Sequence, residues 1–228
     1  MTAAEITKDI YLVGSADITD PKDCSIYLLN LGELILIDTG AGTSFEKIIC
    51  NIEGLGLDPK KIAAVILTHC HIDHIGGAPK FREQFGARII MHHLDAEAVE
   101  QGDDKMTAAS WYNLRFPPMS VDVKLTGERQ RLRFGGQELV CLHTPGHTPG
   151  SLSVYLDRGG KRVLFGQDIH GPFCPEFGSD LAAWRRSMDK LLALKADILC
   201  EGHFGIYQPQ ETVAQYIQHY LKMYSESS

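Results

Sequence analysis

Four times along this chain, a short apolar segment leads directly into histidine or aspartate with glycine close by. Short continuous apolar runs bounded by turn residues are typical of buried strands. One such strand end is common by chance, but four in one chain predict strand ends that converge on a shared site. The apolar segments and the polar clusters after them are Ala63–Leu67 with Thr68–Gly77, Leu139–Leu142 with His143–Ser151, Val163–Phe165 with Gln167–Gly171, and Ile198–Cys200 with Glu201–Gly205.

The first cluster has the spacing His-x-His-x-Asp-His, from His69 to His74. Neutral imidazole is the commonest metal-ligand side chain, and carboxylate is a second suitable ligand. Ligands at the end of a rigid strand are held in place better than ligands on a free loop. Cys70 lies between His69 and His71 and should point the other way if the backbone is extended there. We therefore expect a metal site that does not use Cys70.

Composition limits the class of protein. The 228 residues carry a formal net charge of −7, and 44% of them are hydrophobic, so we expect a globular chain with one domain over residues 1–228. The negative charge argues against nucleic acid or an anionic membrane as partner. The N-terminus has neither the basic start nor the long apolar core of a signal peptide, and the six cysteines form no CxxC pair. We expect free thiols and a cytoplasmic protein.

Strand and helix patterns alternate along the chain, which favours layered sheets flanked by helices. The segment 92–120 differs, because it combines a predicted helix at Leu94–Gln101 and a second at Thr107–Leu114 with a concentration of large side chains. These side chains form a small satellite core or the wall of a substrate pocket, and we favour the pocket because pockets are lined mainly by apolar and aromatic groups. An exposed patch here is also compatible with a homodimer interface. The large side chains are Trp111, Tyr112, Phe116, Pro117, Pro118 and Met119.

Three further polar residues need an interpretation. Asp38 follows the apolar run Leu34–Ile37 and is either an ordinary turn former or a group that orients a ligand histidine. His92 and His93 are adjacent, so in a strand they point to opposite sides and at most one could face a metal. We predict that neither of them is a ligand. The tail 225–228 is expected to be frayed.

The clusters together resemble the metallo-β-lactamase fold hydrolases, and the resemblance extends from Asp38 to His203. It implies an αββα sandwich, in which two mixed sheets face each other with helices outside. It also implies two divalent metal ions, zinc first, with iron or manganese as alternatives. One ion is expected on His69, His71 and His147, the other on Asp73, His74 and His203, and Asp168 is expected to bridge them.

The implied chemistry is hydrolysis of an ester-type bond, a thioester or a lactone, in a small-molecule substrate. Paired metals lower the pKa of a bridging water, and the resulting hydroxide attacks a carbonyl that one metal polarises. Asp73 and Asp168 are expected to act in this chemistry, Asp73 also by orienting the nucleophile. His170 is a candidate acid for the leaving group, with a structural role as its alternative.

Members of this fold differ in activity, so the branch has to be argued from departures. β-Lactamases of this fold generally lack the bridging aspartate, whereas Asp168 is present. Only 25 residues follow His203, too few for the helical domain of glyoxalase II. Lactonases place a tyrosine shortly after the bridging aspartate, where this chain has His170. A stand-alone glyoxalase-II-like hydrolase fits best. The main alternative is a persulfide dioxygenase with one iron on His69, His147 and Asp168.

Overall fold

The computed structural model describes residues 2–225. Its first seven strands form one mixed sheet in chain order, with antiparallel pairing up to the fourth strand and parallel pairing after it. The strands are β1 (Ala4–Thr7), β2 (Ile10–Gly14), β3 (Ile26–Asn30), β4 (Leu34–Ile37), β5 (Ile62–Ile66), β6 (Arg88–His92) and β7 (Val123–Leu125).

A second mixed sheet contains the remaining strands in the spatial order β13-β12-β11-β10-β9-β8. Only the β11–β12 pair is parallel among them. Each sheet is therefore built from one continuous half of the chain. The strands are β8 (Arg129–Phe134), β9 (Gln137–His143), β10 (Leu152–Arg158), β11 (Lys161–Gln167), β12 (Ile198–Glu201) and β13 (Ile206–Tyr207).

Helices cover the outer face of each sheet. Three core clusters separate the layers: one between the first sheet and its helices, one between the two sheets, and one under the last two helices. This is the expected αββα sandwich. The helices are α1 (Phe45–Gly54), α2 (Ile72–Ile75), α3 (Ala78–Phe85), α4 (His93–Gln101), α5 (Leu181–Ala193) and α6 (Gln210–Ser225).

The layered arrangement explains why the central strands read as continuous apolar runs. Side chains alternate between the two faces of a strand, and both faces of β4 are covered. Leu36 contributes to the cluster under the helices, while Ile35 and Ile37 contribute to the cluster between the sheets. A strand buried on both faces has no position for a polar side chain.

The prediction from the sequence omitted two strands and made one helix too long. The edge strands β1 and β13 were not predicted; β1 has exposed or half-buried residues throughout, and β13 is only two residues long. The helix predicted at Thr107–Leu114 is only a 3₁₀ turn, Ala109–Tyr112. The predicted frayed tail begins at Ser225, which is the last residue of α6, and its other residues lie outside the described part.

Among residues 2–225, none of the helices combines the length and apolar composition that crossing a bilayer requires. All six cysteines are free thiols, as predicted.

Thiol labelling gives a first test of this packing. Cys50 is exposed, Cys174 is half-buried and the other four cysteines are buried. Burial raises the pKa of Cys24 and of Cys141 to about 12, which suppresses the reactive thiolate. We expect an aromatic disulfide reagent to label one thiol quickly in the native protein and a second slowly. Cys50→Ser should remove the fast phase. Rapid labelling of four or more native thiols would contradict the described burial.

Candidate metal centre

The polar clusters meet at one edge of the sandwich, where strands of both sheets end. The cluster after β5 comes from the first sheet, and those after β9, β11 and β12 come from the second. Backbone hydrogen bonds join them across the sheets: Leu152 N donates to Thr68 O at 2.7 Å, and Ser25 N donates to Gly202 O at 2.6 Å. All seven residues named as ligands from the sequence lie in this cluster.

The first group of ligand atoms belongs to His69, His71 and His147. Their ligand-type atoms lie within 4.8 Å of one another, and all three side chains are buried. His71 Nδ1 faces His147 Nε2 at 2.9 Å. His69 Nε2 is buried and has no hydrogen-bond partner in the described structure. A buried polar atom without a partner is costly, and here it lies beside two other ring nitrogens.

The second group belongs to Asp73, His74 and His203. Asp73 and His74 lie on the short helix α2, and His203 follows β12. His74 Nε2 lies 3.3 Å from His203 Nε2, which in turn lies 3.2 Å from Asp73 Oδ2. Two nitrogens about 2.05 Å from a tetrahedral zinc ion are separated by about 3.3 Å. The second group therefore has the spacing of atoms that share one ion.

Asp168 lies between the two groups. Its Oδ1 is 3.2 Å from His74 Nε2, and its Oδ2 is 3.3 Å from His203 Nε2 and 3.6 Å from His147 Nε2. A Cβ on Gly202 would lie 2.2 Å from Asp168 Oδ1. The glycine in Glu201-Gly202-His203 thus leaves room for the shared carboxylate.

The electrostatics of the cluster favour bound cations. Burial lowers the pKa of His71 to about 3 and that of His69 well below its usual value, so both rings keep the lone pair that a metal needs. Burial also opposes protonation of His203, but Asp168 and Asp73 raise its pKa to about 10. The two buried carboxylates therefore attract positive charge, which divalent ions can supply instead of protons. The nitrogen and oxygen donors fit zinc, iron or manganese.

Asp38 has both of the roles that the sequence left open. It turns the chain after β4 with a φ of 61°, a region that aspartate tolerates better than most residues. Its Oδ2 lies 2.8 Å from His74 Nδ1, and its Oδ1 accepts a 2.8 Å bond from Thr68 N. Asp38 therefore fixes the His74 ring so that Nε2 points into the cluster.

Asp95 is a buried site residue that the sequence analysis missed. It lies in the first turn of α4 and joins two of the polar clusters. Its carboxylate accepts hydrogen bonds from Cys70 N at 3.0 Å, Thr148 Oγ1 at 2.7 Å and Gly150 N at 2.6 Å. A Cβ on Gly150 would meet Asp95 Oδ1 at 2.5 Å. The available signal was the second Pro-Gly pair, which permits this close approach.

The other predicted polar residues lie around the cluster. Cys70 Sγ donates to the Met106 carbonyl at 3.4 Å and faces away from the ligands. His92 stacks on His143, with ring centroids 3.9 Å apart, and is a member of none of the candidate metal groups among residues 2–225. His170 lies at the edge of the cluster, where its Nδ1 is 2.8 Å from Glu201 Oε1.

A pocket of about 350 Å³ opens over the two ligand groups. The segment 92–120 was expected to form either a pocket wall or a satellite core. It contributes residues to the pocket lining and also to a core. Trp111 and Tyr112 line the pocket, whereas Phe116 and Met119 are buried in the core of the first sheet. Tyr112 lies beside Asp73, and burial and this carboxylate both raise the pKa of its hydroxyl. The hydroxyl is therefore a hydrogen-bond donor at neutral pH.

The family model of the metallo-beta-lactamase superfamily matches residues 19–203, which include all seven clustered residues. This chain belongs to the metallo-beta-lactamase superfamily. A solved metallo-beta-lactamase from Cronobacter sakazakii, a motif mutant, superposes with a TM-score of 0.84 over 100% of this chain and 96% of its own, at 24% identity. That likeness concerns the fold alone.

The chain is similar in sequence to several proteins with different names. An uncharacterized Aquifex aeolicus protein is 31% identical over 73% of this chain and 71% of its own length. A hydroxyacylglutathione hydrolase from Cereibacter sphaeroides is 29% identical over 63% of this chain. The human acyl-coenzyme A thioesterase MBLAC2 is 28% identical over 59% of it. The matches span 49% and 53% of the latter two proteins, about half of their lengths.

Proposed function

We propose that this chain is a metal-dependent hydrolase of ester-type bonds, a thioester or a lactone, that works with two divalent ions. The observation that carries the proposal is the Asp168 carboxylate, whose oxygens approach nitrogens of both ligand groups. The matches to a hydroxyacylglutathione hydrolase and an acyl-coenzyme A thioesterase support an ester-type bond, because both names describe thioester cleavage.

In this proposal the ligands divide as they cluster. His69, His71 and His147 would hold one ion, Asp73, His74 and His203 would hold the other, and Asp168 would be a ligand to both. Zinc suits these donors best, and iron or manganese are the alternatives. When bound, the two ions supply a Lewis acid for the scissile carbonyl and lower the pKa of a shared water.

The protein's own groups orient the reactants. Burial opposes ionisation of Asp73, but His74 and His203 hold its pKa at about 2, so its carboxylate can accept a hydrogen bond from the attacking water. Tyr112 supplies a hydroxyl donor from the pocket wall. Glu201 accepts the Nδ1 proton of His170, so Nε2 is the nitrogen that could take up the proton released by the attacking water and pass it to the leaving group.

The alternative function is a mononuclear iron dioxygenase acting on a persulfide. One observation favours it: Asp168 Oδ2 lies 3.6 Å from His147 Nε2 and 4.0 Å from His69 Nε2, and two histidines with one carboxylate form the usual set in iron oxygenases. The complete second group favours hydrolysis, because a one-iron enzyme does not need His74 and His203 as ligands.

Metal analysis separates the two functions. We expect the purified protein to contain about two divalent ions per chain and to hydrolyse thioesters or lactones. Removing the ions with a chelator should lower the rate at least about 100-fold, and zinc should restore it. Oxygen consumption on glutathione persulfide, measured with an electrode, serves as the control assay. One iron per chain together with oxygen uptake would replace the hydrolase by the dioxygenase.

We propose a cytoplasmic location, because six free thiols fit a reducing compartment. We propose a small-molecule substrate rather than nucleic acid or membrane because of the net charge of −7.

A further inference from the structure

Two groups of aromatic side chains belong to the lining of the pocket over the ligand groups. Trp111 and Phe177 pack against each other with ring centroids 4.8 Å apart, and Phe177 also contacts His71 at 4.5 Å. The second group is Phe204, which packs on His170 at 4.5 Å. All of these rings belong to the pocket lining. A ligand group that lies between the two groups of rings would contact an apolar face on each.

The exposure of these rings sets them apart from the rest of the surface. Only four large hydrophobic side chains are exposed in residues 2–225, and Trp111 and Phe204 are two of them, at 55% and 57%. The other two are Leu94 and Met223, which are not in the pocket lining. Exposed aromatic surface concentrated at one pocket indicates an apolar ligand.

The described pocket lining contains neither lysine nor arginine. It consists of aspartate, histidine, aromatic and small residues, and the positive charge of His203 is already matched by Asp73 and Asp168. Two lysines from neighbouring segments, neither of them in the pocket lining, contact other groups of the protein. Lys105 Nζ lies 4.0 Å from Glu176 Oε1, and Lys22 Nζ donates to the Tyr112 carbonyl at 3.1 Å. A ligand that carries carboxylates or phosphates would lie along this lining without a lysine or arginine to match its charge.

Trp111 and Phe177 form an aromatic wall of the pocket. The position of Trp111 in this wall is fixed relative to the ligand groups. The 3₁₀ turn Ala109–Tyr112 is bracketed by Ala108 and Asn113, both in the left-handed region, with φ of 54° and 53°. Just before it, Thr107 O accepts a 2.7 Å hydrogen bond from Ile72 N at the start of α2, the helix that carries Asp73 and His74. Left-handed non-glycine residues persist only where the surrounding structure fixes them. Trp111 is therefore presented by a rigid turn.

We propose that the site selects uncharged esters with an apolar acyl group, seated between Trp111 and Phe177 on one side and Phe204 on the other. The inference rests on the proposed hydrolysis and names its substrate class. In the reaction, water adds to the acyl carbon, the C–S or C–O bond breaks, and the leaving thiolate or alkoxide takes up a proton. The acyl group leaves as a carboxylate. Thioesters of glutathione and coenzyme A, which carry anionic groups, are then poor substrates.

Two matched substrate series test this selection in the metal-loaded protein. The first is acetyl to octanoyl thioesters of N-acetylcysteamine, a neutral thiol. We expect kcat/KM to rise roughly three- to fourfold per added methylene, as burial of that group predicts. The second series carries the same octanoyl group on N-acetylcysteamine, glutathione and coenzyme A. We expect the neutral thioester to exceed both anionic ones at least about tenfold, since one desolvated and unmatched charge has at least that effect.

A variant assigns the selectivity to the aromatic wall. Trp111→Ala should lower the ratio of octanoyl to acetyl kcat/KM by about tenfold, because it removes one side of the apolar seat, while metal content stays at the wild-type value. Leu94→Ala is the matched control, since Leu94 is also exposed, at 46%, but is not in the pocket lining. It should leave the ratio unchanged.

The outcomes separate this inference from the proposed function. Hydrolysis with a flat chain-length dependence, or with glutathione or coenzyme A preferred, would overturn the inference and leave the hydrolase standing. An unchanged ratio in Trp111→Ala would also overturn it. If no member of either series, and no lactone, is hydrolysed by protein with both ions bound, the proposed function and this inference fail together.

Discussion

Asp168→Ala is expected to abolish ester hydrolysis and to reduce the bound metal from about two ions per chain to one or none. Groups that only orient a metal ligand contribute about 10- to 100-fold in affinity or activity, and we expect the loss of a shared ligand to exceed that range. The carboxylate also carries negative charge between the groups. Burial opposes its ionisation, but His203 and His74 hold the pKa of Asp168 well below its usual value.

Metal analysis and initial rates on the same preparation measure both effects. Asp157→Ala is a suitable control, because Asp157 is a more exposed carboxylate that pairs with Arg162 on the second sheet. It should keep wild-type metal content and activity, since exposed ion pairs contribute little. Full activity of Asp168→Ala with both ions retained would refute the two-metal proposal.

Asp38→Asn is expected to weaken metal binding about 10- to 100-fold, although Asp38 is not a ligand. Asparagine has nearly the shape of aspartate and also tolerates the left-handed backbone at this position, so the turn should persist. The neutral amide is a weaker acceptor for the His74 Nδ1 proton than a carboxylate. The ring would lose part of its orientation and basicity.

Competition with a chromogenic chelator measures this change in affinity. Asp23→Asn provides the matched control, because Asp23 is also buried and hydrogen-bonded, to Thr19, Ser44 and Ala41, but to no histidine. Both variants should lose thermal stability in metal-free protein, whereas only Asp38→Asn should lose metal affinity. Equal affinities for Asp38→Asn and wild type would mean that Asp38 acts only as a turn.

The residues that cluster at the candidate site could be predicted because ligand-type side chains occur at short spacings directly after apolar segments. His69 to His74 fall within six residues at a strand end, and the later clusters repeat the pattern. The strands were predictable for a related reason, since burial on both faces gives continuous apolar runs. The order of the strands and the four layers came from the resemblance, because an apolar run does not specify its neighbours.

The groups that support the ligands were less accessible to sequence reasoning. Asp95 lies 53 residues from Thr148, to which it is hydrogen-bonded, and nothing in its local sequence distinguishes it from a first-turn aspartate that stabilises its own helix. Asp38 left two interpretations open because the sequence does not give its distance to His74, which adds the orienting role to the turn. Trp111 and Phe116 are close in sequence, yet one lines the pocket and the other is buried. Tertiary packing separates such cases.

Because each sheet comes from one half of the chain, the proposed ions have a second consequence. His69 and His71 belong to the first half and His147 to the second; the other ion likewise joins Asp73 and His74 to His203. Each ion would then cross-link the two halves of the chain, because each half supplies only part of its ligands. Metal affinity and the cohesion of the halves become linked quantities, so catalytic competence arises only after both halves have docked correctly.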